Sequence, residues 1–564
     1  MPYIPLITRC IRVSQFSTAP PRLEISIELS FKASWLVSIS LACFCQCYLK
    51  RPEPPVDSMW NVACSPISAR FSIPVGSSRA GEQVYFRGID SMLPIISKIV
   101  WLEIGPVEQS SFESGDIAQL LVCSMPLLTS MTLKAQYFGP IEGLEGLATV
   151  NFKDWQFPAL RTLVLDGVCI HPSCLLYSSV LATLETLELR NCPSINGLTL
   201  YGLVDFLEAI SRGTNVTELT MDGILSSLAI DNSNIKVPID LCNLRVLNIR
   251  DNASLISSFL CALSLPKATA CNLTALIVDE NEWNGKKSNL DHPSDVYVHH
   301  GKPTKFQAML PHISTTALSE PAVLRATYSF LPGFVPNSLT LAVTATHASI
   351  LATNHTGTRL SLETALTHSS RFSGPGFFPT TRRQLLRAAL RAVPAIFAPS
   401  GKCLTVTEMH ISADLYALVD GRADVDGNLH SGWAAGLLAP FAALERVVLC
   451  DELGLGEEPR QAPVGLARAV DWNTSPALKR LELRSVKLPS MALVLQLKQA
   501  LQDREEKSGG NRLEQVDVEL AVKAGEERTT AFVEECYVRS TMDLLEPVVG
   551  SAVATAFKWH PRWL

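Results

Sequence analysis

Charged side chains recur at one position of a repeated phrase, and that spacing is the strongest chemical signal in this chain. The residue immediately after the last apolar position of successive phrases is Lys134, Asp166, Arg190, Asp222, Arg250 and Asp279, so the signs alternate without a break. On parallel strands in register these side chains stand side by side at about 4.7–4.9 Å, forming a ladder of opposite charges. One role for such a ladder is to keep like charges apart and fix register, each exposed pair contributing about 0–1 kcal/mol. The other is recognition, in which Arg190 and Arg250, with Glu188 and Asn248 two positions earlier on the same face, contact a partner. A self-neutralised wall is a poor general magnet but a good pattern for one particular polar surface.

Catalytic and metal chemistry finds little support. The chain has no G-x-S-x-G, H-E-x-x-H, G-x-x-x-x-G-K-[ST] or G-x-G-x-x-G string, which removes the common nucleophile-elbow, zinc-protease and phosphate-loop arrangements as motifs. Asp420-Gly-Arg-Ala-Asp424-Val-Asp426-Gly427 resembles a calcium loop, but aligning Gly427 puts Arg422 and Trp433 where carboxylates are required. Cys43-Phe-Cys45-Gln-Cys47 lacks the two-residue spacer and second pair of a structural zinc site. His292, His299 and His300 lie in polar sequence and read as solvated. Asn-x-Ser/Thr sequons begin at Asn215, Asn252, Asn272, Asn354 and Asn473, a number that chance supplies in a chain this long. We expect no catalytic residue, cofactor or metal.

The elements that must position the ladder are written in the phrase itself, apolar-x-x-apolar-x-apolar. Its copies are Ile99-Val-Trp-Leu102-Glu-Ile104, Leu128-Thr-Ser-Met131-Thr-Leu133, Leu160-Arg-Thr-Leu163-Val-Leu165, Leu184-Glu-Thr-Leu187-Glu-Leu189, Val216-Thr-Glu-Leu219-Thr-Met221, Leu244-Arg-Val-Leu247-Asn-Ile249 and Leu273-Thr-Ala-Leu276-Ile-Val278. Their starts differ by 29, 32, 24, 32, 28 and 29 residues, at the long end of the roughly 20–29 residues of leucine-rich repeats. Alternation within each phrase sends apolar side chains to one face of a strand and the intervening residues to the other. Between phrases, Leu203, Phe206, Leu207 and Ile210 recur at three- and four-residue steps, the pattern of an amphipathic helix closed by Arg212-Gly213. A strand and a helix each buried on one side are unstable alone, so the units must stack.

Four further phrases occupy the C-terminal half: Val406-Thr-Glu-Met409-His-Ile411, Leu444-Glu-Arg-Val447-Val-Leu449, Leu478-Lys-Arg-Leu481-Glu-Leu483 and Leu513-Glu-Gln-Val516-Asp-Val518, at spacings of 38, 34 and 35. A helix over 383–397 precedes them, and the residues beyond about 520 are expected to cover the last open repeat. The resulting organisation is an irregular N-terminal region at 1–95, repeats at 96–282, a loop-rich insertion at 283–380 holding one weak strand at Leu339-Thr-Leu341-Ala-Val343, and repeats with a C-terminal cap at 381–564. The N-terminal region includes one strand, Leu23 to Leu29, and an uncharged run of 17 residues, 33–49. That run is short of the roughly 20 residues of a spanning helix and is read as a buried segment or as sequence outside the native frame.

Composition bounds the rest. At 564 residues a stacked core can grow by addition. A net charge of -6 gives no basic footprint for nucleic acid. The 15 cysteines are odd in number and mostly sit in apolar runs, as reduced thiols do, which points to the cytoplasm or nucleus.

Units such as Phe157-Pro-Ala-Leu-Arg-Thr-Leu-Val-Leu-Asp-Gly167 and Leu181-Ala-Thr-Leu-Glu-Thr-Leu-Glu-Leu-Arg-Asn-Cys192 resemble the repeats of fungal F-box and leucine-rich-repeat proteins, and Ala19-Pro-Pro-Arg-Leu-Glu-Ile25 is similar to the short strand those proteins place before their repeats. The resemblance implies the substrate-recognition arm of a cullin-type ubiquitin ligase, with the ligase core subunits as partners. Residues 1–95 carry no match to the three-helix F-box module. The fold expected is therefore α/β, a leucine-rich-repeat solenoid curved like a horseshoe, with parallel strands on its concave face and helices on its convex face. The function expected is non-catalytic recognition of a protein partner. A degenerate repeat protein without a dedicated partner and an enzyme with its site in 283–380 are the alternatives.

Overall fold

The computed structural model describes residues 26–30, 67–72, 96–108, 112, 116–136, 149–150, 156–170, 180–192, 201–212, 215–225, 228–229, 238–277, 304–311, 330–344, 347–366, 378–398, 402–413, 433–451, 470–487, 491–523 and 530–559. The chain is mixed α/β and divides into two units, 1–247 and 248–564, each built on a large, mostly parallel sheet.

In the first unit the sheet strands are β1 (Ser26–Ser30), β2 (Ile67–Ser72), β3 (Ile99–Glu108), β4 (Ser130–Gln136), β5 (Thr162–Asp166), β6 (Thr186–Arg190) and β7 (Glu218–Asp222). They pair in chain order and every pairing is parallel. Short helices connect several of them: α1 (Asp116–Val122), α2 (Val180–Thr183) and α3 (Leu203–Arg212). The unit boundary falls within β8 (Val246–Asp251).

The phrases form these strands because their apolar positions close on one core. Leu128, Met131, Leu133, Leu160, Leu163, Leu165, Leu184 and Leu187 are each 0% exposed. Burying a side chain of this size contributes about 1.5–3 kcal/mol. The first apolar residue of a phrase is held in a turn by its backbone N–H, as in Leu128 to Met125 O (3.1 Å) and Leu160 to Phe157 O (3.2 Å). The next carbonyl then accepts two N–H groups from the following repeat. Thr129 O takes Arg161 and Thr162, Arg161 O takes Glu185 and Thr186, Glu185 O takes Thr217 and Glu218, and Thr217 O takes Arg245 and Val246, all at 2.7–3.1 Å. This shared carbonyl sets each strand one rung along from the last.

The second unit repeats the device with a different topology. Its strands are β9 (Ala270–Ile277), β10 (Pro336–Val343), β11 (His347–Asn354), β12 (Arg359–Leu366), β13 (Glu408–Ala413), β14 (Arg446–Asp451), β15 (Arg480–Lys487), β16 (Gln515–Lys523) and β17 (Ser551–Trp559). β9 pairs parallel to β12, not to the next strand in the chain. β12, β11 and β10 form an antiparallel meander, and β10 pairs parallel to β13, from which parallel pairing continues to β17. Thus 336–366, inside the segment read from the sequence as loop-rich, is three strands of sheet. Apolar alternation is written in Leu339, Leu341 and Val343 of β10 and in Leu360 and Leu362 of β12, while in β11 small Ala348 and Ala352 flank Ile350. The helices are α4 (Ala253–Cys261), α5 (Lys305–Ala308), α6 (Phe378–Phe397), α7 (Trp433–Leu438), α8 (Met491–Lys507) and α9 (Thr530–Leu545). Residues beyond 520 do more than cover an open end: α9 leads into β17, one further parallel strand.

The seventh phrase needs correcting. Cys271, Leu273 and Ala275 are fully buried in β9, whereas Leu276 lies half-buried on the opposite face. Ala268 N–H bonds to Leu265 O, and Thr269 O accepts from Arg359 N–H at 2.9 Å, so the phrase is Ala268-Thr-Ala-Cys271-Asn-Leu273. Small Ala268 and a thiol in a leucine's place hid it.

Candidate recognition surface

On β4 to β7, residues alternate between a buried face and an open one. In β5, β6 and β7 the buried pairs are Leu163 and Leu165, Leu187 and Leu189, Leu219 and Met221. The open face carries Thr162, Val164 and Asp166, then Thr186, Glu188 and Arg190, then Glu218, Thr220 and Asp222.

The register places Lys134 beside Asp166, Asp166 beside Arg190, and Arg190 beside Asp222. The alternating row therefore exists across four strands. Its ion pairs run differently from the expected ladder. Lys134 Nζ reaches diagonally to Glu103 Oε1 at 2.9 Å, and Arg190 Nη2 turns along its own strand to Glu188 Oε2 at 2.7 Å. Asp166 Oδ1 accepts from Asn191 Nδ2 at 3.1 Å.

The row sits at the strand ends because a left-handed residue follows it: Gly167 (φ 69°), Asn191 (φ 48°) and Gly223 (φ 65°). Gly167 N–H donates to Arg190 O and Asn191 N–H to Asp222 O. A Cβ on Gly167 would stand 3.0 Å from Ala135 O, so a side chain there would be strained by φ and crowded by that carbonyl.

Arg250 and Asn248 belong to the second unit, where Arg250 is exposed and Asn248 Oδ1 accepts from Asn272 Nδ2 at 2.7 Å. With the seventh phrase corrected, the position matching Arg250 on β9 is Thr274. Asp279 lies outside the described residues, as do 420–428, Cys43 to Cys47, His292, His299 and His300.

The densest polar arrangement lies on the open face of β13, β14 and β15. Register aligns Glu408, Arg446 and Arg480 in one row and His410, Val448 and Glu482 in the next. Arg446 Nη1 donates to Glu408 Oε1 at 2.6 Å and its Nε to Glu482 Oε1 at 2.7 Å. Arg484 donates to the other oxygen, Glu482 Oε2, through Nε (3.2 Å) and Nη2 (2.7 Å). Beneath these side chains Val448 is only 3% exposed although it points to the open face. Burial alone would raise the Glu482 carboxyl, but hydrogen bonds from Arg484 and Arg446 outweigh it and hold the group below its ordinary range. His410 is held below its ordinary value by burial first, then by the Arg484 charge, against the opposing pull of Glu408 and Glu482. Its Nε2 is enclosed and has no hydrogen-bond partner among the described residues. Nothing in the phrase pattern marked this cluster, because its residues occupy variable positions on strands 34–38 residues apart.

A second arrangement behind this face is structural. Arg504 of α8 is 2% exposed. Its Nη1 donates to Val470 O and Ser475 O at 3.1 and 2.9 Å, and its Nη2 to Pro476 O and Leu478 O at 3.2 and 3.0 Å. The guanidinium stacks over Trp472 at 5.1 Å. Ser475 stands where other repeats bury Met125, Phe157 or Phe441, and Arg504 supplies from the helix what that turn lacks.

Among the described residues no group of three or more His, Cys, Asp or Glu side chains is placed to hold a metal ion. No described helix is long and apolar enough to cross a membrane. Comparison with family models gives no match, and no curated protein matches the sequence significantly.

Proposed function

We propose that the two units are stacks of leucine-rich repeats, each with an open sheet face through which a protein partner is recognised without a reaction. The observation that carries this reading is the division of the strands into one buried row set and one half-exposed, mostly polar row set, repeated from β4 to β7 and from β9 to β13, with Val448 and Glu482 enclosed among the longer side chains of β14 and β15. A face built from many short polar side chains on a rigid backbone is preorganised, which limits the ordering cost of binding. The free cysteines among the described residues, with burial pushing the Cys271 thiol up, favour a reducing compartment, cytoplasm or nucleus. The resemblance of the repeats to F-box proteins extends the proposal to a substrate-recognition subunit of a cullin-type ligase, for which co-purification of the ligase core subunits is the test.

For recognition itself, arginine is introduced at Thr220 and at Ser361, one open-face position in each unit, and at Leu495, an exposed position of α8. Quantitative affinity enrichment should show partners lost from an open-face variant and retained by Leu495→Arg. Retention of every partner by both open-face variants would count against the reading.

A further inference from the structure

We infer that the open face of β13–β15 is a docking site for an acidic segment of the partner protein, with the Arg480 guanidinium as its carboxylate receptor; this rests on the recognition reading above. Donors and acceptors on these strands are unequally matched. Glu408 is taken by Arg446, Glu482 by Arg446 and Arg484 together, and on the adjoining strand both carboxylate oxygens of Asp517 accept from Gln515 Nε2 at 3.0 and 2.8 Å. The Arg484 charge is also balanced by Glu519. Arg480 is exposed, yet among the described residues it has no carboxylate partner. Its neighbours in register are Arg446 on one side and Gln515 on the other, and that glutamine is turned to Asp517.

Like charges directly opposite one another on adjacent strands are unfavourable. Arg446 is relieved by two glutamates and Arg480 is not, so the position is one that an incoming carboxylate would complete. A guanidinium presents a planar fork that matches a carboxylate with two parallel hydrogen bonds. Arg484, two residues beyond Glu482, adds the Nη1 donors of a second guanidinium to the same patch, its Nε and Nη2 being committed to Glu482. The first unit's row shows the contrast: Lys134 and Arg190 both have glutamate partners.

The full chain is titrated into a rhodamine-labelled hexaglutamate peptide and followed by fluorescence anisotropy. Hexaglutamine and a phosphoserine hexapeptide run in parallel, each at low and at roughly physiological salt. Arg480→Gln and Arg484→Gln are compared with Arg539→Gln, a helix-surface arginine paired with Glu535. Hexaglutamate should bind in preference to the other two peptides, with roughly tenfold weaker binding in Arg480→Gln, a smaller loss in Arg484→Gln and none in Arg539→Gln. Equal affinity of all variants, or tighter binding of the phosphoserine peptide than of hexaglutamate, would overturn the assignment. If the arginine variants bind normally while the Thr220 or Ser361 variant loses partners, this inference falls alone. If all open-face variants keep all partners, the recognition reading falls with it.

Discussion

Arg504 decides the local order of the last repeats, because four backbone carbonyls of residues 470–478 depend on one buried guanidinium. Replacing it with methionine keeps the bulk and removes the donor from the Val470, Pro476 and Leu478 carbonyls, at about 1–3 kcal/mol for each that water cannot reach, while Ser475 O keeps the Leu478 N–H. We expect Arg504→Met to lose at least about 3 kcal/mol by denaturant unfolding, and Arg504→Lys to fall short of rescue because an ammonium cannot serve the same fork. His410 gives a pH signature. Its folded-state value is depressed by burial and by Arg484, so it contributes stability that is present above about pH 6.5 and is lost as pH falls through the folded value. The groups around it are Glu408 on its own strand, Arg446 on β14, and Glu482 and Arg484 on β15. His410→Gln should flatten the decline in unfolding midpoint between pH 7.5 and 5, leaving the Glu482 contribution to disappear only at more acidic pH. An unchanged pH profile in that variant would remove His410 from the account. Neither residue was legible in the sequence: Arg504 looks like an ordinary late-helix cation, and His410 fills a variable position whose neighbours come from other repeats.

At the scale of one repeat, the buried face should dominate the energetics. Leu187→Ala removes a fully buried side chain and is expected to cost about 2–5 kcal/mol, whereas Arg190→Ala, at an exposed side chain in a same-strand pair, should change stability by less than about 1 kcal/mol. Gly167→Ala places a Cβ against Ala135 O at a left-handed φ and should cost about 1–2 kcal/mol; thermal unfolding of the three variants orders them. The buried face was readable because leucine, valine and isoleucine at fixed steps leave a periodic trace. The register of Lys134, Asp166, Arg190 and Asp222 was readable for the same reason. Their partners were not, since a long side chain chooses among diagonal, same-strand and cross-strand neighbours by geometry that spacing does not encode. At β9 the trace failed, as Ala268 and Cys271 replaced the large apolar residues on which it depends.

The same carbonyl-sharing rung recurs in both units, yet among the described residues only the second has an antiparallel strand, β11, between parallel neighbours. The meander extends the open face of that unit with Thr340, Leu351 and Ser361 in adjacent register, polar or half-exposed side chains that a loop would not have presented. Recognition through this face requires that a partner touch it. A photo-crosslinking residue placed at Thr220 and at Ser361, with Val122 and Leu495 on exposed helix positions as comparisons, reports contact directly when the full chain is irradiated in its native extract and products are resolved by mass. The account predicts a discrete partner-sized adduct from the open-face positions and none from the helices; adducts formed only from Val122 or Leu495 would contradict it.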